Sequence, residues 1–299
     1  MKIKVNVLSV IIVSIVGLCS CSIFDKTEPT PSWIRIESID LVDNPSADEG
    51  SLSNDITDAW VYIDDNIIGL FELPADIPIL EEGNHRLLVG PGIKVSTIST
   101  LRDNYIFYGA YERSVNLVPG EVLEVAPEVM YRDEGVSYLY YVVEDFEDSF
   151  IEMGALGGSD ANIVRTTNPA YVYEGSGSGI VNISDSMTAV AFRTSENIEF
   201  SLNGKAVYLE IDYYTEFDLT IGLHIDNSPL SPQTLDYLTL KAAEDGEVKW
   251  RKAYIALTSI LAVATNFKFG YVYFIPQLVD SSPKNGIVII DNVKIMSQL

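Results

Sequence analysis

Side chains able to do acid–base, nucleophilic or metal chemistry are either scarce in this 299-residue chain or spread too widely to single out. There are two histidines, His85 and His224, far apart, and two cysteines, Cys19 and Cys21, both near the start. No G-x-S-x-G elbow and no H-E-x-x-H helix occurs. Gly175-Ser176-Gly177-Ser178-Gly179 lacks the lysine and the following helix that cradle a phosphate. Carboxylates recur throughout, so spacing picks out no glycosidase-like pair. Catalysis is not expected. The best-placed polar groups are Tyr214, His224 and Asp226. Strand alternation puts Tyr214 on a face with Glu210 and Asp212, opposite Leu209, Ile211 and Tyr213. It puts His224 with Thr220 and Asp226, opposite Leu219, Ile221, Leu223 and Ile225. Both polar faces are expected to meet solvent and a ligand.

Cys21 carries a different chemistry. Lys2 and Lys4 precede the apolar run Val5–Gly17, and Leu18-Cys19-Ser20-Cys21 follows. Basic start, apolar middle and small-residue cleavage site are the order of a secretory signal. The run is shorter than the roughly 20 residues that span a bilayer. The ending resembles the lipobox of bacterial lipoproteins, which implies that residues 1–20 are removed and Cys21 is acylated. The expected partner is therefore a membrane, held through lipid on Cys21, and the expected place is the outer membrane. Ser22 lacks the aspartate that retains some lipoproteins at the inner membrane. Asp185-Ser186-Met187 fits a short O-glycosylation pattern of Bacteroidetes, which suggests a host of that kind.

Charge narrows the partners further. The chain has 43 acidic and 19 basic residues, a net charge of −24, and loss of Lys2 and Lys4 deepens it. Such a surface repels phosphate backbones, so nucleic acid is not an expected partner. Anionic lipid would also repel the body, leaving the lipid as anchor. With no cysteine after Cys21, the folded region has no disulfide, thiolate nucleophile or cysteine-bound zinc.

The elements that must position these residues are strands. After the polar, proline-containing tether 21–32, short alternating runs rich in Val, Ile, Tyr and Phe are separated by Gly, Pro, Asn and Asp. The best helical candidate, Leu257–Thr265, is at most two or three turns long. The chain is expected to be all-β, with two consecutive sandwich domains at 33–134 and 135–299. In the first, Val61-Tyr62-Ile63-Asp64 runs into an Asp65-Asn66 turn, Gly69 and Pro74, and Gly83-Asn84-His85-Arg86-Leu87-Leu88-Val89 follows. This grammar resembles PEGA-type β-sandwich domains and implies an envelope-associated structural module. His85 is expected to hydrogen-bond a loop rather than ligate a metal. The aromatic excursion Ser96–Tyr111 reads either as a partner-facing loop or, preferably, as rings packed over one end of the sandwich.

In the second domain, Val143-Glu144-Asp145-Phe146-Glu147, then Gly175-Ser176-Gly177-Ser178-Gly179, then Trp250-Arg251-Lys252-Ala253-Tyr254-Ile255, then Asp291-Asn292-Val293-Lys294-Ile295 occur in that order. The order resembles galactose-binding-like jelly rolls, including many carbohydrate-binding modules. That resemblance implies a glycan or protein partner. It also implies a structural calcium held by oxygen ligands where the first and last strands meet, with Glu147 (or Asp145) and Asp291 as candidates. The stripe Phe267, Phe269, Tyr271 and Tyr273 is expected to be core, as is Trp250. The function expected is non-catalytic binding at the cell envelope. The alternative is a structural accessory subunit docked on an outer-membrane protein.

Overall fold

The computed structural model describes residues 28–299 except 48–49, 99, 195–197, 201–203, 227–232, 245–246, 263–268 and 280–284. Cys21 and Phe267 lie outside the described residues. Ten strands build the N-terminal body: β1 (Ser32–Ile36), β2 (Asp40–Leu41), β3 (Ile56–Ile63), β4 (Asn66–Glu72), β5 (Ala75–Ile79), β6 (Gly83–Lys94), β7 (Arg102–Asn104), β8 (Tyr111–Leu117), β9 (Val122–Val125) and β10 (Glu128–Val129). One sheet runs β4-β3-β6, with β7 and β8 both paired to the long β6. A second runs β5-β1-β9, and β2 pairs with β10. Alternating residues of these strands, among them Ile34, Ile36, Val61, Ile63, Leu87 and Val89, face one another in the core.

Local chemistry fixes the β3–β4 hairpin. Asp64 and Asp65 both take positive φ, 47° and 66°, the geometry of a type I′ turn whose twist suits antiparallel strands. The turn therefore sits one residue earlier than the expected Asp65-Asn66. Asp64 then accepts a hydrogen bond from the Arg86 amide at 2.8 Å. His85 bonds the same carboxylate through Nδ1 at 2.7 Å and the Glu82 carbonyl through Nε2 at 3.0 Å. Two acceptors favour the doubly protonated ring, so the His85 pKa rises, first through Asp64 and then through Glu82. His85 is a loop tie.

The C-terminal body is a sandwich of eleven strands: β11 (Tyr138–Glu144), β12 (Met153–Ala155), β13 (Val164–Thr166), β14 (Ser178–Ile183), β15 (Phe192–Thr194), β16 (Val207–Thr215), β17 (Leu219–Asp226), β18 (Gln233–Leu240), β19 (Arg251–Ala256), β20 (Phe269–Pro276) and β21 (Gly286–Gln298). A short helix, α1 (Thr258–Ala262), follows β19. The six-stranded sheet runs β13-β14-β21-β16-β19, with β11 also on β21. The five-stranded sheet runs β12-β15-β20-β17-β18. Leu209, Ile211 and Tyr213 of one sheet meet Leu219, Ile221, Leu223, Val272 and Phe274 of the other. The protein is all-β, as expected, and its sheets stack as β-sandwich layers.

The N-terminal core does not stop at its own strands. It takes in Tyr138, Tyr208, Tyr254 and Met296 from the C-terminal sheet. Tyr105, Phe107 and Tyr108, from the excursion after β6, supply the other half of this junction. Tyr105 lies edge-on to Tyr208 at 5.3 Å and to Tyr254 at 4.8 Å, and Phe107 to Tyr138 at 5.5 Å. The excursion is packed, and what it packs against is the neighbouring body.

Candidate functional site

The polar face of β16 is buried, which corrects the expectation for Tyr214. Glu210, Asp212 and Tyr214 do share that face, yet each is at most 1% exposed. The N-terminal body covers the first two. Glu210 accepts hydrogen bonds from Tyr105 at 2.6 Å and Tyr131 at 2.9 Å, and pairs with Lys252 at 3.4 Å. Asp212 accepts from Ser53 at 2.7 Å and Asn292 at 2.9 Å and also pairs with Lys252. Lys294 donates to the Ser51 carbonyl at 2.7 Å. Tyr214 lies with Ile180 and Ile289 beneath Tyr171, Val248 and Trp250. A second layer of chain, not water, lies over this face, so Tyr214 touches no ligand-accessible surface.

Glu147 and Asp291 keep separate company. The Glu147 carboxylate is wrapped by the glycine-rich turn, accepting from the Ser176 amide at 2.9 Å, the Ser176 hydroxyl at 2.8 Å and the Gly177 amide at 3.3 Å. Gly175, at φ +63°, brings the backbone so close that a side chain there would strike that carboxylate. Asp291 is wholly buried on β21 and accepts from the Ser178 hydroxyl and the Asn292 amide. Burial raises its pKa to about 8, and Asp212 adds to the rise. Among the described residues, no group of three or more His, Cys, Asp or Glu side chains could hold a metal ion.

Among the described residues, the outer face of the five-stranded sheet is exposed at the end where His224, half-buried, and Asp226, exposed, stand. His224 pairs in register with Tyr271 on β20 and with Thr234 on β18. Its ring stacks on Tyr271, with centroids 4.6 Å apart and planes 12° from parallel, and Nδ1 lies 3.1 Å from the Thr234 hydroxyl. The Arg193 guanidinium of β15 sits 5.0 Å from the Tyr271 ring centre. Burial and then Arg193 lower the His224 pKa, against the pull of Asp226, so the imidazole is neutral at neutral pH. Tyr273 stands on the same face and donates to Asp236 at 2.6 Å. Gly222 makes room for that ring, because a Cβ there would lie 2.1 Å from the Tyr273 hydroxyl.

Of the stripe Phe269, Tyr271 and Tyr273, the first two keep exposed surface and depart from the core expectation, whereas Tyr273 is wholly buried. The core side of β20 is Val272 and Phe274, and Phe269 is 38% exposed. Alternation placed these rings on one face correctly, but which face turned inward depended on β20 lying between β15 and β17. Arg193 and Asp236 were not anticipated. Arg193 reaches the site through the pairing of β15 with the distant β20, and Asp236 through its bond to Tyr273 across β17, neither of which a local pattern announces. Ser186 is exposed in a turn, 3.0 Å from Ser184.

No protein-family model matches this chain, and no curated protein matches its sequence. Some solved structures resemble it. The CBM22-1 xylan-binding domain from Paenibacillus barcinonensis Xyn10C is 12% identical, covering 55% of this chain and 97% of that one, with a TM-score of 0.40. A family 29 carbohydrate-binding module complexed with mannohexaose is 15% identical over 54% and 93%, at 0.31. The enzymatically active domain of Bacteriophage CBA120 tailspike protein 4 is 13% identical over 52% and 20%, at 0.37. With every score below 0.5, no ligand and no site residue is transferred from them.

Proposed function

We propose that this protein is a non-catalytic glycan-binding lipoprotein of the outer membrane, with a saccharide lying across the open face of the five-stranded sheet. The observation that supports it is the cross-strand row Arg193, Tyr271, His224 and Thr234, flanked by Asp226 and the Tyr273–Asp236 pair. Aromatic rings offer apolar surface to sugar C–H groups, and the neighbouring guanidinium, imidazole and carboxylates offer donors and acceptors to hydroxyls. Strands fix these side chains before binding, which lowers the ordering cost of association. The anchor in this reading is acylated Cys21, which holds the strongly acidic body at the membrane.

Affinity electrophoresis of the full chain against neutral polysaccharides tests the site. Retardation by at least one polymer, lost in Tyr271→Ala and His224→Ala, is the expected result. No retardation by any polymer, or retention in both variants, removes the reading. Cys21→Ala is expected to release a folded, water-soluble protein from the membrane fraction.

A further inference from the structure

A second concavity, of about 520 Å³, lies where the N-terminal body meets the edge of the C-terminal sandwich. Trp250, just before β19, forms one wall with Tyr173 from the loop after β13, their ring centres 5.2 Å apart. Trp250 was expected in the core and is instead half-buried at this cleft. Lys94 at the end of β6, Lys241 after β18, and Arg251 of β19 also line it.

The charge here is the reverse of the chain's. The protein has more than twice as many acids as bases, yet Lys94, Lys241, Arg251 and Lys252 face this cleft against Asp55 and Asp212. Lys252 is committed to Glu210 and Asp212, both at 3.4 Å, and Lys241 to Asp218 at 2.6 Å. Arg251 is not so occupied. Its guanidinium lies 4.6 Å from the Tyr213 ring centre, and its Nε and Nη2 are buried without an acceptor. Those two atoms form the edge of a guanidinium that takes a carboxylate in a bidentate pair. A buried donor left unpaired is costly, so an acceptor entering the cleft gains that hydrogen bonding in addition to the charge. Burial also raises the Asp55 pKa, against the effect of Lys94, which weakens the one acid among the described lining residues outside the Lys252 pairing.

We propose that this cleft binds an acidic saccharide, the sugar ring lying against Trp250 and Tyr173 and its carboxylate held by Arg251 and Lys94. A rotation of the Arg251 guanidinium about its terminal bonds, off the Tyr213 ring, presents the unpaired edge to the cleft. The site draws on both bodies, so it exists only while they are docked. It is also separate from the open sheet face proposed above.

The test uses the purified full chain in native gels containing polygalacturonate, glucuronan or alginate, with fully methyl-esterified polygalacturonate as the uncharged control. Retardation by at least one uronate polymer is expected, with none by the methyl ester, although the net negative protein is repelled by polyanions in general. Arg251→Gln should weaken retardation about tenfold, the scale of one lost charge-assisted contact, and Lys94→Gln by less. His224→Ala should leave uronate binding intact, and Arg251→Gln should leave binding of neutral polymer intact, so the two sites fail independently. If Arg251→Gln does not fold by near-ultraviolet circular dichroism, Lys94→Glu decides the matter. Absence of retardation by all three uronates, equal retardation by the methyl ester, or unchanged binding in the folded variants overturns the proposal.

Discussion

Strands β16 and β17 carry the same sequence pattern and meet opposite fates. Each alternates apolar residues toward the shared core with polar ones away from it. On β16 the outward residues Glu210, Asp212 and Tyr214 are sealed under the N-terminal body and the flanking loops. On β17 the outward residues His224 and Asp226 stand at an open surface. The covered face holds charges only because each has partners. An ion out of water is tolerated when paired and hydrogen-bonded, and Glu210, Asp212 and Lys252 meet that condition. The open face needs no such closure, because water can solvate its polar groups. Alternation therefore says which side chains share a face, and the next layer of structure says whether that face joins or binds.

Four substitutions test this contrast, beginning with the largest effect. Glu210→Ala should cost about 3–5 kcal/mol, because it strands the buried Tyr105 and Tyr131 hydroxyls without their shared acceptor and leaves Lys252 with Asp212 alone. Urea unfolding measures it, and a loss below about 1 kcal/mol would mean the junction does not depend on the network. Asp291→Asn should alter the pH dependence more than the stability itself. The folded protein keeps the Asp291 proton up to about pH 8, whereas the unfolded chain sheds it near 3.8. Stability from this group is thus complete at low pH and falls as pH rises through that window, by up to about 1.4 kcal/mol per unit. The asparagine variant should lose that slope in unfolding titrations at pH 5 and pH 8, and parallel curves would contradict the assignment.

The two smaller effects lie on the open sheet. Gly222→Ala should destabilise by about 1–3 kcal/mol, since its methyl meets the Leu235 carbonyl oxygen and the Tyr273 hydroxyl. A thermal scan reads the loss, and weaker binding of neutral glycan should accompany it as Tyr273 leaves Asp236. His224→Ala should cost less than about 1 kcal/mol, as it removes one ring stack and one hydrogen bond. Its binding loss should be far larger than its stability loss. A similar fall in both would show that His224 belongs to the framework, as His85 does.

Much of the fold could be read locally. The hairpin at Asp64-Asp65 follows from residues that tolerate positive φ between two alternating runs, and its misplacement by one residue reflects two adjacent aspartates of equal aptitude. The role of His85 followed because its partners lie on the adjoining hairpin turn and in its own loop. The outer face of the five-stranded sheet was only half legible. His224 and Asp226 follow from alternation, but the exposure of Tyr271 does not, and Arg193 and Asp236 give no local signal. Their side chains converge only after β15, β20, β17 and β18 pair in that order.

The sequence by itself determined the all-β class, the faces of the strands, the turns and the strongly acidic charge, because these depend on period-2 patterning, backbone preference and composition. Tertiary structure alone decided that Tyr105, Phe107 and Tyr108 would join two bodies, that Tyr214 would be sealed and Tyr271 open, and that Arg251 would border a cationic cleft in an anionic protein. The physical reason is reach. Propensity and alternation act over a few residues, whereas burial of a polar face and convergence of charges depend on which distant strand lies across from it.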